Sequence, residues 1–355
     1  MAQPAATAAM VRVWPSDFFH IGMFALDEMD SYVDYNLNTS LLFSGAMHPE
    51  YIDQLGEYGY KAMPGSADEV KGEINANYYY SIRDKEEAYA HYFFDEPDVK
   101  DFPDNRRNFA SVAKFRKVKV HDSLGACAMM MEHFAQSIRD LDPDTLTHLM
   151  INQTYKPDNY SVYGKIADIA AVDIYAHIHG NDPRIIYQAG NACRLGSAPR
   201  PFHIATDFIA PEEGWNRDRE ITAEELRLRL GYSLAAGAKG ITWYHWRHPK
   251  SDRLLKELME VNGKLEIAAP LLEIGHPVPQ DWTQTNHEKL MTRTLLCGKD
   301  TVVVVLINTD YKAEKDGFSH TPVKSAEVRV TLPGWMKETQ VFSVSPGGME
   351  DVSFS

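Results

Sequence analysis

The chain has 355 residues, 44% hydrophobic and 24% charged, enough for a large core plus a second, smaller domain. With 50 acidic against 36 basic side chains its net charge is −14, a balance that repels nucleic acid and anionic membranes and leaves a neutral ligand, such as a sugar, as the easier partner. Cys127, Cys193 and Cys297 are too widely spaced for a zinc pattern, and no apolar run reaches transmembrane length.

Residues 1–10 carry neither a basic nor an apolar targeting region. They read as a cytosolic start or as the remnant of an export signal, with a secreted or periplasmic location slightly favoured. From residue 18 onward, strand-like runs alternate with helical patterns, which argues a parallel sheet with helical crossovers. Strands are expected at 18–24, 39–44, 60–63, 88–94, 146–152, 169–175, 201–207 and 240–246. Helices are expected at 49–58, 67–75, 121–140, from 158, at 183–195, from 222 to 236, and at 251–272. Thr222-Ala-Glu-Glu225 forms a capping box, and Gly237 stops the helix it opens. Residues 102–118 show no clear element. Eight strands with helices between them, in roughly 250 residues, fit one (β/α)8 barrel. A doubly wound sheet is disfavoured, because no glycine-rich phosphate loop follows the first strand.

After Pro277 the pattern changes to β-type runs at 290–296, 301–307, 326–332 and 340–344, separated by turns. The expected fold is thus α/β: a catalytic (β/α)8 barrel over residues 13–274, followed by a small antiparallel β-sandwich over 275–355.

In such a barrel, chemistry sits at the C-terminal tips of the strands. The fourth strand runs through His91-Tyr-Phe-Phe94 and stops at Asp95-Glu-Pro97, since proline cannot continue a ladder. The fifth ends in Asn152 and Gln153, the sixth in Asp173 and Tyr175, the seventh in Asp207 with His203 inside it. The eighth ends in Trp243, Tyr244, His245 and Trp246, and His20 lies within the first. Trp215 stands in the polar loop after strand seven. Carboxylates with aromatics and amides suit glycoside cleavage: one acid protonates the leaving oxygen, a second carboxylate attacks or activates water, and aromatic faces pack on the sugar. No tip lysine, nucleophile elbow or phosphate loop offers another chemistry. A divalent metal held by the same acids is the rival use, weakly supported by His177-Ile-His179. No metal or other cofactor is expected, and the oligomeric state is not legible.

Phe93-Phe-Asp-Glu-Pro-Asp98, Val172-Asp-Ile-Tyr175 and Ala236-Gly-Ala-Lys-Gly-Ile-Thr-Trp-Tyr244 resemble the motifs of bacterial glycoside hydrolase-like (β/α)8 barrels, as does a barrel followed by a small β-sandwich. The resemblance to the retaining clan with an Asn-Glu-Pro-like motif on strand four implies that Glu96 is the acid/base and that Asp95 replaces the Asn. That clan has a second Glu at the tip of strand seven; here the strand ends His203-Ile-Ala-Thr-Asp207. The partner carboxylate is therefore expected to be Asp173 or Asp207, ahead of the loop residues Glu212 and Glu213. Expected substrate-binding residues are Asp95, Tyr175, Asn152, Gln153, Trp243, Trp246, Tyr244, His203, Trp215 and His20. The alternatives are a barrel that binds carbohydrate without cleaving it, and a metal-dependent isomerase or lyase.

Overall fold

A computed structural model describes residues 18–354 except 25–29, 42–47, 66, 69–72, 93, 102–125, 153–156, 210–218, 245–249, 279–281, 315 and 338–339. Eight strands form one sheet: β1 (His20–Phe24), β2 (Thr39–Leu41), β3 (Lys61–Met63), β4 (His91–Tyr92), β5 (Thr147–Asn152), β6 (Ile169–Ile174), β7 (Phe202–Asp207) and β8 (Gly240–Tyr244). Their spatial order is β3-β2-β1-β8-β7-β6-β5-β4, and every pairing is parallel. Two parallel bridges, Ala62 to Ala88 and Gly65 to Tyr92, join the ends of this order, so the sheet closes on itself as a barrel.

The connections carry α1 (Asp30–Asp34), α2 (Pro49–Glu57), α3 (Ala76–Ile82), α4 (Ala126–Leu141), α5 (Pro157–Tyr163), α6 (Ala176–His179), α7 (Arg184–Ser197) and α8 (Ala223–Ala236), and α9 (Asp252–Ile274) follows β8. Alternation along each strand sorts the side chains. Ile21, Met23, Leu149, Ile151, Val172, Ile204, Ile241 and Trp243 face outward into one core with the helices. Phe24, Met150, Ala171, Ala205 and Tyr244 face inward into a second core that fills the barrel. Each large apolar side chain so buried contributes about 1.5–3 kcal/mol.

Local chemistry explains several boundaries. The Thr222 hydroxyl accepts from the Glu225 amide while the Glu225 carboxylate accepts from the Thr222 amide, which closes the expected capping box on α8. Gly237 ends that helix in the left-handed region at φ 86°. One expectation fails. In place of a helix over 67–75 there is a short antiparallel pairing of Ala67–Asp68 with Glu73–Ile74, and the helix begins only after Asn75, whose side chain caps the Tyr78 amide. Asn favours that starting position over a helix interior. Tyr78, Tyr79 and Ile82 are the buried residues of α3. Residues 102–118 lie outside the described ones.

From Gly275 onward the described elements are antiparallel β. β9 (Gly275–Pro277), β11 (Leu290–Cys297) and β12 (Thr301–Asn308) form a three-stranded sheet. β10 (Thr283–Thr285) pairs with β15 (Val328–Val330), β13 (Tyr311–Ala313) with β14 (Phe318–His320), and β16 (Phe342–Ser345) with β17 (Gly348–Asp351). These sheets pack on the barrel's outer helices. A Cβ built on Gly231 of α8 would lie 3.2 Å from Ile307 of β12, and Tyr311 shares hydrogen bonds with Tyr232 at 3.0 Å and Asp182 at 2.6 Å.

Candidate active site

At the C-terminal mouth of the barrel, β4, β5, β6 and β8 bring their tips together. Beyond Tyr92 the chain turns out of the sheet, and Pro97 starts a short 3-10 helix, Pro97–Asp101. Between them Glu96 adopts φ 45°, a left-handed conformation that side chains with a Cβ adopt rarely. Such backbone strain costs about 1–3 kcal/mol and gathers at functional sites.

Glu96 accepts a hydrogen bond from the Asn152 amide nitrogen, Nδ2 to Oε1 at 2.7 Å. Asn152 and Asp173 are register partners across β5 and β6, so the same strand ends that offer the amide also offer Asp173. Asp173 is 3% exposed, and its carboxyl lies within hydrogen-bonding reach of Glu96. Its Oδ1 has no hydrogen-bond partner among the described residues. Burial, then the hydrogen bond and charge of Glu96, then the charges of Asp95 and Asp98, hold the Asp173 proton well above the usual carboxylate range. Asp173 is therefore the carboxyl of this group that burial and its neighbours keep protonated. Asp95 is half-buried beside them and accepts from the Tyr92 hydroxyl at 2.8 Å.

Two residues absent from the sequence reading belong to this group. Asp98 is fully buried and accepts from the Asn152 backbone amide at 2.9 Å and from Asn159 Nδ2 at 3.5 Å. Burial pushes its carboxyl up to about 7, against the opposing pull of the Asn152 amide. Tyr92 is the other: inward parity on β4 was the available signal, masked by the run of aromatics around it. Tyr175 and Tyr244 complete the mouth, 9% and 8% exposed, with ring centroids 4.7 Å apart. Phe24 packs edge-on against Tyr244 at 5.6 Å.

Other expected site residues lie elsewhere. Asp207 is completely buried and paired with Arg229 of α8, Nε to Oδ1 at 2.8 Å, while its Oδ2 accepts from the amides of His177 and Ile178 at 2.6 and 3.0 Å. Burial raises its proton affinity, but the charge and hydrogen bond of Arg229 outweigh this and hold the carboxyl below its usual range. Its charge is thus balanced by Arg229 and two backbone amides inside the fold. Trp243 is wholly buried on the outer face of β8 and donates to Asn262 Oδ1 of α9 at 2.9 Å. Strand parity places it under the helix, out of reach of a ligand in the barrel mouth.

His20 and His203 are also fully buried, low in the barrel interior. Their rings stack at 4.8 Å, His148 lies 5.6 Å from His203, and His20 Nε2 meets Thr242 Oγ1 at 2.7 Å. Gly22 and Gly240 make room for them: a Cβ on Gly22 would stand 2.4 Å from the His20 ring, and one on Gly240 2.8 Å from that of His203. They fill the barrel and do not line its mouth. Gln153, Trp215 and Trp246, with Glu212 and Glu213, lie outside the described residues. Among the described residues no cluster of three or more His, Cys, Asp or Glu side chains is arranged to hold a metal ion, and no helix is long and apolar enough to cross a membrane.

No protein-family description and no curated protein sequence matches this chain. Solved structures do. The β-galactosidase from Rahnella sp. R3 is 10% identical over 74% of this chain and 58% of that one, with a TM-score of 0.54. The β-galactosidase from Bacillus circulans sp. alkalophilus is 10% identical over 72% and 56%, with a TM-score of 0.51. That from the psychrophilic Marinomonas ef1 is 9% identical over 70% and 60%, with a TM-score of 0.50. The match thus spans less than two thirds of the length of each of these enzymes. At such identities the likeness is one of fold, and in fold this chain is a (β/α)8 barrel followed by small antiparallel sheets.

Proposed function

We propose that the chain is a glycoside hydrolase whose proton donor is Glu96. The observation that carries this reading is the pairing of Glu96 with the buried, proton-holding Asp173 at the mouth of a closed barrel. Burial and the nearby carboxyls hold the proton on Asp173, which places a protonated carboxyl directly beside Glu96. The left-handed turn and the Asn152 amide aim Glu96, and Tyr175 with Tyr244 offers an aromatic wall for a sugar ring.

The contact also restricts what Asp173 does. Carboxyls that flank a glycosidic bond stand about 5–5.5 Å apart in retaining enzymes and about 6.5–9.5 Å apart in inverting ones. Asp173 hydrogen-bonds Glu96, so its proposed action is on that side chain and not on the ligand. Its proposed role is to share and return the proton that Glu96 delivers to the leaving oxygen. Asp95, half-buried beside Glu96, is the proposed second carboxylate facing the ligand.

The test is Glu96→Gln assayed on glycosides with good and poor leaving groups, beginning with β-galactosides because the neighbouring folds are β-galactosidases. Loss of proton donation predicts a fall of about 10²–10⁴-fold on poor leaving groups, a much smaller fall on activated aryl glycosides, and nearly unchanged sugar binding. Wild-type turnover on a poor leaving group by the Gln variant refutes the assignment.

One observation favours a second reading, a barrel that binds sugar without cleaving it: the strand-seven carboxylate is tied to Arg229. A product screen over oligosaccharides separates the two, since a pure binder retains its ligand intact.

A further inference from the structure

Tyr92 has no part in the chemistry described above, yet it stands closest to all of it. It is buried on β4, and its phenol faces the charges of Asp95, Asp173 and Glu96. With three carboxyls around one hydroxyl, a single proton donation goes to Asp95 Oδ1, at 2.8 Å. The ring is held from below by His148, centroid to centroid 5.7 Å, and its backbone amide bonds to Pro64 O at 3.1 Å across the closure of the barrel. Those contacts come from β5 and from the segment after β3, so the phenol is fixed by the barrel and not by the loop it touches.

That loop needs such an anchor. Residue 96 sits at φ 45° immediately after Asp95, and a non-glycine residue stays in that region only where its surroundings impose it. Asn152 holds the Glu96 side chain on one flank. Tyr92 holds the preceding residue on the other.

We infer that Tyr92 is a positioning residue: through its hydrogen bond to Asp95 it sets the orientation of that carboxylate and of the turn that aims Glu96. The inference rests on the reading of Glu96 as proton donor. It adds that the site is ordered from inside the barrel, by a phenol buried from solvent.

Two kinds of readout test it. In Tyr92→Phe, which keeps the ring and its packing on His148, kcat is expected to fall about ten-fold or more with KM within about two-fold, in line with losing one hydrogen bond to a charged group. The acid limb of the pH profile moves upward, because a carboxylate that loses a donated hydrogen bond holds its proton more tightly. In an Asp95→Asn background the same change has little further effect if Tyr92 acts through Asp95. The second readout needs no substrate: a ¹³C-carboxyl titration by NMR of wild type, Tyr92→Phe and Asp95→Asn, which identifies the Asp95 signal and follows its midpoint. An upward move of that midpoint in Tyr92→Phe supports the inference even if Glu96→Gln has shown that the barrel is no glycosidase. An unmoved Asp95 midpoint overturns it whatever the activity. Should Tyr92→Phe not fold, His148→Leu, which removes the support beneath the ring, takes its place with the same two outcomes.

Discussion

Asp173 and Asp207 both end inward-facing strands of the same barrel, and their surroundings give them opposite properties. Asp207 meets a guanidinium and two amides, which stabilise its charge. Asp173 meets another carboxyl and, among the described residues, no cation shifts it, which stabilises its proton. The two therefore respond differently to removal. Asp173→Asn takes away the proton partner of Glu96. The alkaline limb of kcat/KM should then move to lower pH, because the carboxyl whose proton burial holds well above the usual range is gone. A pH profile identical to wild type would place Asp173 outside the chemistry. Arg229→Ala leaves Asp207 ionised and buried with its cation gone, at a cost of about 3–5 kcal/mol. Urea unfolding checks this, and the surviving folded fraction should show near-normal KM. Had Asp207 been the partner acid, Asp207→Asn would abolish turnover; with the ion pair as found, it should lower stability more than activity per folded molecule.

At the scale of elements, glycine placement is what lets the barrel interior accept two stacked imidazoles. Gly240 faces His20 and His203 across β8, and an added Cβ would stand 2.7 Å from His20 Cβ. Gly240→Ala should thus strain the strand junction and cost about 1–3 kcal/mol, measured as a lower urea midpoint with an unchanged slope. Neither the stack nor the glycines that allow it were legible in the sequence. His20 and His203 sit 183 residues apart and meet only when β1, β8 and β7 adopt adjacent registers. What the sequence did show was local. The alternation of strand and helix, the Thr222 box, the Gly237 stop and the abrupt end of strand four at Pro97 each depend on a few neighbouring residues. The acidic group at the mouth was legible by strand position for Asp95, Glu96 and Asp173. The fate of Asp207 was not, because its partner comes from a helix 22 residues on, where Arg229 reads like any helical arginine. Trp243 shows the limit of composition as a guide: an aromatic at a strand tip suggests a sugar platform, and parity alone assigns it to the helix side.

For the whole molecule, pH dependence of stability follows from how many groups the fold buries in each protonation state. His20, His91, His148 and His203 are buried and neutral, chiefly through desolvation, with His91 pushed down to about 4 and His148 to about 3. Each has a folded value below its unfolded one, so its contribution is whole above about pH 6.5 and is lost as pH falls. Asp98 and Asp173 work the other way. Their folded values lie above the unfolded ones, so what they contribute is whole below about pH 4 and is lost as pH rises, for Asp98 through about 7. Between about pH 6.5 and 4 the two sets oppose each other, and among the described residues these four histidines, joined by His177 and His276, also lowered chiefly by desolvation, outnumber the two acids. Each fully unbalanced group changes stability by about 1.4 kcal/mol per pH unit, so the net loss on acidification is on the order of a few kcal/mol per unit at its steepest. Urea midpoints at pH 7 and pH 5 measure it directly. Asp173→Asn should steepen the dependence by removing one opposing acid, and His148→Leu should flatten it by removing one histidine. If the midpoint rose on going from pH 7 to pH 5, the buried acids and not the histidines would be setting the balance.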